Sequence, residues 1–249
     1  MRPTHGIGVL ALALAVPVLG GSSGALAGPP TPAAPVVIEL YTSQGCNSCP
    51  PADALLGEFA RRQNVVALAF HVDYWDGNGW RDRFSMAAAT LRQSRYVDAL
   101  RLASAFTPQV VIGGSRSFVG SDRQSIAAAV AQGSAPGVPV EATVAGDELV
   151  ISLPDAGATA SRDVELAAYL PQATTLVGRG ENSGRSLTEF NIVREFRRVG
   201  AWTGKAGTWR VRLDSLPRDA TRAVVLVQEA NQGAIAGAVA ISLRETADR

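Results

Sequence analysis

The run Val36-Val37-Ile38-Glu39-Leu40-Tyr41, then Thr42-Ser43-Gln44-Gly45, then Cys46-Asn47-Ser48-Cys49-Pro50-Pro51, decides how this chain is read. Its first six residues are apolar and mostly β-branched apart from one acid, which is a strand pattern. Thr42 to Gly45 is turn material. From Pro51 to Arg62 the apolar residues Ala54, Leu55 and Phe59 recur at helical spacing, and Pro50 and Pro51 suit a first helical turn. Val65-Val66-Ala67-Leu68-Ala69-Phe70 is a continuous apolar run of the kind buried on both faces of a parallel sheet. Strand, helix and strand together place both cysteines at the carboxyl end of a strand and the head of a helix. Open α/β sheets expose their chemistry there.

The cysteines are the only two in the chain, three residues apart. Closing so small a loop removes little unfolded-chain entropy, so redox exchange or metal binding explains the pair better than stabilisation does. The positive end of a helix favours thiolate. Cys49 precedes Pro50, which pushes it out of the α region, and Cys46 then precedes the first turn. Asn47 and Ser48 bring no positive charge, so only a modestly lowered Cys46 pKa is expected.

Of 249 residues, 47% are hydrophobic and 18% charged, which excludes a disordered chain. Arg2 and His5 precede an apolar stretch, Ile7 to Leu19, and small residues lead to Ala25-Leu26-Ala27. That is the pattern of a cleaved signal peptide, residues 1–27, whose apolar run falls short of the roughly 20 residues that span a bilayer. A periplasmic or secreted protein is expected, with no membrane span after cleavage. The net charge of +1 excludes nonspecific nucleic-acid binding, which depends on phosphate neutralisation.

Further along come Thr107-Pro108, a hairpin of Gln109–Ile112 and Ser117–Gly120 about the Gly113-Gly114 turn, and a closing helix over Ser121–Gln132. With the strand–CxxC–helix–strand opening, this order resembles a thioredoxin-like domain. The segments Leu40 to Cys46, Cys49-Pro50-Pro51-Ala52-Asp53, His71-Val72-Asp73-Tyr74-Trp75-Asp76 and Thr107-Pro108-Gln109 are similar to a bacterial family of secreted proteins that carries such a domain and has no assigned function. The likeness continues through Arg179-Gly180-Glu181-Asn182. It implies Cys46 as the attacking thiolate and Cys49 as the resolving thiol. It also implies Pro108 as a cis proline facing the disulfide, with the Thr107 backbone receiving a substrate chain. Glu39 takes roughly the place of a buried acid that assists proton transfer.

His71 follows the second strand at its carboxyl end, and three readings stay open. It is a general base or charge partner for Cys46. Alternatively Cys46, Cys49 and His71 form a soft-metal site suited to Cu(I) or Zn. Otherwise it hydrogen-bonds in the core beneath Tyr74, Trp75 and Trp80. A helix is expected from about Phe84 to Leu102.

The turn formers Gly133-Ser134-Ala135-Pro136-Gly137 mark a boundary. Beyond it, strands are expected at Val140–Val144 and Leu149–Leu153, joined as a hairpin by the Gly146-Asp147 turn, and at Val164–Leu170, Thr174–Gly178, Thr208–Leu213, Ala223–Gln228 and Ile235–Ile241; Leu187–Val199 is ambiguous between helix and strand, and its β-rich neighbours favour strand. The expected organisation is a linker at 28–35, an α/β thioredoxin-like domain at 36–133, a linker at 134–139 and a smaller, mainly-β, sandwich-like domain at 140–245. The Arg179–Asn182 loop docks on the redox face, binds an anion, or is a solvated turn, and it receives no catalytic role. The chain thus reads as an exported thiol–disulfide oxidoreductase-like protein. Its partners are protein or small-molecule thiols and disulfides and an unidentified redox partner; it needs no cofactor. The alternatives are a periplasmic copper-binding protein or metallochaperone, and a redox-inert thioredoxin-like interaction module.

Overall fold

In the computed structural model, residues 34–77, 79–134 and 137–244 are described, together with Met1 and Pro3. The rest of the expected signal peptide lies outside the described residues. The apolar runs form strands as their pattern requires. Strand β1 (Val36–Thr42) leads through the cysteine loop into helix α1 (Pro50–Phe59), and β2 (Val65–His71) returns parallel to β1, Thr42 opposite His71. Helix α2 (Ala87–Ala99) follows, shorter at both ends than the sequence suggests. Then come β3 (Gln109–Ile112), antiparallel to β1, its hairpin partner β4 (Arg116–Val119), and helix α3 (Arg123–Ala131). Asp122 caps α3, accepting from the Ser125 N–H at 3.0 Å.

The second half is all strand: β5 (Glu141–Ala145), β6 (Glu148–Leu153), β7 (Arg162–Leu176), β8 (Ser186–Trp202), β9 (Gly207–Arg212), β10 (Arg222–Glu229) and β11 (Ile235–Ser242). The two strands expected at Val164–Leu170 and Thr174–Gly178 are one long strand, β7, paired along its length with β8.

Strand order is β11-β10-β7-β8-β2-β1-β3-β4 in one eight-stranded sheet, with β5-β6-β9 as a separate three-stranded sheet. The junction is β2 with β8, parallel at Ala69 and Ile192, and the Asn191 side chain donates to the Ala67 carbonyl at 2.8 Å. The expected α/β thioredoxin-like domain followed by a sandwich-like domain is therefore corrected. The fold is mostly β, a mixed sheet with three short α-helices among the described residues, and the strands after residue 140 extend the sheet begun by β1 and β2.

Side-chain alternation along the strands explains the layering. Ile38 and Leu40 of β1 face α1 and α3, packing on Leu55, Leu56, Phe59, Ile126 and Val130. Val37 and Tyr41 face the other way with Leu68 and Phe70, and join Tyr96 of α2 and Val224 and Leu226 of β10. Alternate residues of the same outer strands, Leu166 and Val225 among them, face the small sheet through Leu149, Ile151 and Val211. The α1–β8 contact is close enough to demand glycine: a Cβ on Gly57 would lie 2.4 Å from the Phe190 ring.

Candidate functional site

Cys46 and Cys49 are joined in a disulfide at the head of α1. Two turns shape the loop, closed by Cys46 N–H to Ser43 O at 3.1 Å and Cys49 N–H to Cys46 O at 3.3 Å. Cys49 is the N-cap of α1 with helical dihedrals (φ −78°, ψ −36°), so Pro50 does not displace it from the α region as its sequence position suggests. Both cysteines are fully buried, while Asn47 and Ser48 between them are exposed.

Gln44, two residues before Cys46, is the hub beneath the loop. Its N–H donates to Asp82 Oδ2 at 2.8 Å and its amide nitrogen to Glu189 Oε2 at 2.8 Å and Thr175 Oγ1 at 3.0 Å. Its amide oxygen accepts from Trp80 Nε1 at 3.1 Å. Strands β7 and β8 thus reach the cysteine loop through Thr175 and Glu189.

The loop between those strands reaches it too. The Asn182 amide, fully buried, donates to the carbonyls of Gln44 at 3.0 Å and Cys46 at 2.9 Å. Glu181 accepts from the Asn47 N–H at 3.2 Å, and Arg185 donates to Asn182 Oδ1 at 2.7 Å. Of the roles open to the Arg179–Asn182 segment, docking on the cysteine face is the one the structure displays.

His71 lies in the core at the end of β2. Its Nδ1 donates to Asp82 Oδ2 at 2.7 Å, since an ionised carboxylate only accepts. Its Nε2 faces Glu189 Oε1 at 3.8 Å, and both of those buried atoms lack a hydrogen-bond partner. Burial pushes the imidazolium pKa down, but the Asp82 carboxylate and its hydrogen bond, with Glu189, outweigh that and raise it to about 9. Burial also opposes the Asp82 charge. The His71 cation and the hydrogen bonds from His71, Gln44 and Phe84 prevail and hold that carboxyl below its usual range. Glu189 is pushed up by burial, with His71 pulling the other way.

Asp53, in the first turn of α1, belongs to the same group. It is buried, accepts from Thr42 Oγ1 at 2.8 Å, and is raised to about 7 by burial against the opposing pull of His71. Asp53 stands three and four residues before the buried Leu56 and Gly57, on an inward face of the helix that its sequence alone does not announce.

Other expected residues fall as follows. The Thr107–Pro108 peptide is cis, and Thr107 Oγ1 accepts from Trp75 Nε1 at 2.8 Å. Trp75 also packs on Gly45, which ties the Thr107 segment to the cysteine loop. Glu39 is placed elsewhere. It alternates with Ile38 and Leu40, so it faces away from α1 and accepts from Arg92 Nε at 2.9 Å and Nη2 at 2.6 Å. Arg92 also reaches Glu165 Oε2 at 3.1 Å and Gln228 Oε1 at 2.9 Å.

His71, Asp82 and Glu189 have ligand-type atoms within 4.8 Å of one another. Both Asp82 oxygens and one Glu189 oxygen already accept hydrogen bonds, which leaves His71 Nε2 and Glu189 Oε1. These bonds join the three residues in a buried, hydrogen-bonded charge cluster. The thiol set Cys46, Cys49 and His71 would need the disulfide open first.

Among solved structures, the chain is similar to a protein from Agrobacterium tumefaciens at 31% identity and a TM-score of 0.75, covering 88% of this chain and 98% of that one. It shares its fold with HBP35 of Porphyromonas gingivalis at 16% identity and a TM-score of 0.56, over 87% of this chain and 78% of the other. No curated protein matches the chain. The model of a protein family of unknown function, DUF1223, matches residues 37–228. Over three quarters of its length, then, this chain belongs to the DUF1223 family, whose members have no assigned function.

Proposed function

We propose that the chain is a thiol–disulfide oxidoreductase of an oxidising compartment, exchanging its Cys46–Cys49 pair with protein or small-molecule thiols and disulfides. The observation that carries this reading is where the disulfide lies. It sits at the head of α1, at the carboxyl ends of the parallel strands β1 and β2, above the cluster of His71, Asp82, Glu189 and Asp53. A cross-link over three residues contributes little stability. Burying four titratable groups next to it costs several kcal/mol per ion before compensation. Redox exchange gives both features a use.

A substrate thiolate attacks Cys46 Sγ, the Cys46–Cys49 bond breaks, and Cys49 leaves as thiolate, giving a Cys46–substrate mixed disulfide. In the reverse direction Cys49 attacks Cys46 Sγ, the intramolecular disulfide closes and the substrate thiolate departs. Because Cys46 is buried, a substrate sulfur reaches it only after the segment hydrogen-bonded to its loop, Glu181–Asn182, moves aside. The signal-like leader and the disulfide itself favour a periplasmic or extracellular setting.

Equilibration against glutathione redox buffers tests the reading. A midpoint between roughly −120 and −270 mV is expected. A pair that stays closed below about −300 mV is a structural bridge and removes the proposal.

A further inference from the structure

We infer that Asp53, not Glu39, is the group that exchanges a proton with Cys49 when the disulfide opens and closes; this rests on the exchange reading above. Cys49 and Asp53 are joined through the first helical bond of α1, Asp53 N–H to Cys49 O at 3.1 Å, and residues four apart on a helix are surface neighbours. Helical side chains lean toward the N-terminus, so Asp53 leans back over the turn that begins at Cys49. One carboxyl oxygen is held by Thr42 Oγ1. Asp53 also lines a cleft of about 290 Å³ with Pro50, Ala54, Arg185, Thr188 and Phe190. Asp53 thus follows the turn that carries Cys49 and lines an opening to solvent, the position a proton acceptor for that cysteine needs.

Glu39 has no such place. It lies on the opposite face of β1 and is spent on Arg92, a permanent cation.

When a substrate thiolate opens the disulfide, Cys49 leaves as thiolate and takes the proton of the Asp53 carboxyl; the carboxylate recovers a proton from solvent through the cleft. When the disulfide closes, the Asp53 carboxylate takes the Cys49 proton, Cys49 attacks Cys46 Sγ, and the substrate leaves as thiolate. Asp53 is suited to both directions because burial raises its pKa to about 7. The groups that face it are His71 of β2, Glu189 of β8 and Asp82 of the loop after β2, with Arg185 at the cleft. His71 lowers the Asp53 value and the two carboxylates raise it.

The test is the rate at which reduced full-length protein closes its disulfide with oxidised glutathione, followed from about pH 5.5 to 8.5. In the wild type the rate rises through a bend near pH 7. Asp53→Asn is expected to lose that bend and to close about a hundredfold more slowly above pH 7. Thr42→Val keeps the carboxyl but removes the hydrogen bond that lowers its pKa, so the bend is expected to move to higher pH. That second variant decides the matter if Asp53→Asn does not fold. An unchanged bend in Asp53→Asn, or a Thr42→Val profile that superimposes on the wild type, overturns this inference alone. A wild-type disulfide that glutathione neither opens nor closes overturns the exchange reading, and this inference with it.

Discussion

This molecule holds two buried ionic clusters, and they are built for different ends. Arg92 of α2 holds Glu39 of β1 and Glu165 of β7 with three hydrogen bonds to those carboxylates, Gln228 and Tyr96 adding to the set. Its central cation is held charged well above any physiological pH, despite burial, chiefly by Glu39. The cluster under the disulfide has a histidine at its centre and two carboxyls, Asp53 and Glu189, raised by burial. One is centred on a permanent cation and ties α2 to the sheet, although burial raises its Glu165 as well; the other is centred on a histidine and holds Asp53, raised to about 7. A buried charge alone therefore does not mark a functional site. What marks it is a group able to titrate beside a group able to react.

The largest way to break this contrast is Arg92→Met. It leaves Glu39 and Glu165 buried without their cation, and urea denaturation is expected to show a loss of about 3–5 kcal/mol. The reduction potential should stay where it is; a shifted potential would join the two clusters into one system.

A pH series of stability sharpens it next. The folded-state pKa of His71, about 9, lies above its unfolded value of 6.5. Its contribution is therefore complete below pH 6.5 and is lost as pH rises through 9, roughly 3 kcal/mol in all. Asp53, raised from 3.8 to about 7, keeps its proton longer when folded, so it too makes stability fall with rising pH, between about 4 and 7. Arg92 adds no slope in either window. His71→Gln should flatten the decline between pH 6.5 and 9; a persistent slope would place the titration elsewhere.

The smallest effect concerns access. Asn182→Ala removes two hydrogen bonds to the cysteine loop, worth about 0.5–1.5 kcal/mol each. Reduction by dithiothreitol should speed up by about five- to a hundredfold, with little change in the equilibrium potential. An unchanged rate would mean that this loop does not limit entry.

Local pattern revealed much of the architecture. The β-branched runs, the Gly146–Asp147 turn of the β5–β6 hairpin and the cysteine loop at a helix head stand where their sequence places them. What local pattern does not carry is the partner. Ala69 meets Ile192 because two apolar edges match in space, and no periodicity within either strand names the other. The turn formers around residue 133 read as a domain boundary for the same reason, although the sheet continues beyond them. Glu39 was legible as a buried acid but not its partner, 53 residues away. Asp53 reads as an ordinary first-turn acid, favoured at any helix head. Gln44, Asp82 and Glu189 are silent in sequence because single polar residues gain meaning only from what packs on them.

The β2–β8 junction also bears on how the chain is made. Asn191 and Ala67 are 124 positions apart, so while the chain is being synthesised β2 presents one unpaired apolar edge until most of the polypeptide has emerged. Such an edge accepts any passing strand. A nascent chain of this kind depends on being kept unfolded, or shielded, until its own later half arrives. A gene product ending near residue 133 would carry both cysteines yet have neither Asn182 over them nor a neighbour for β2.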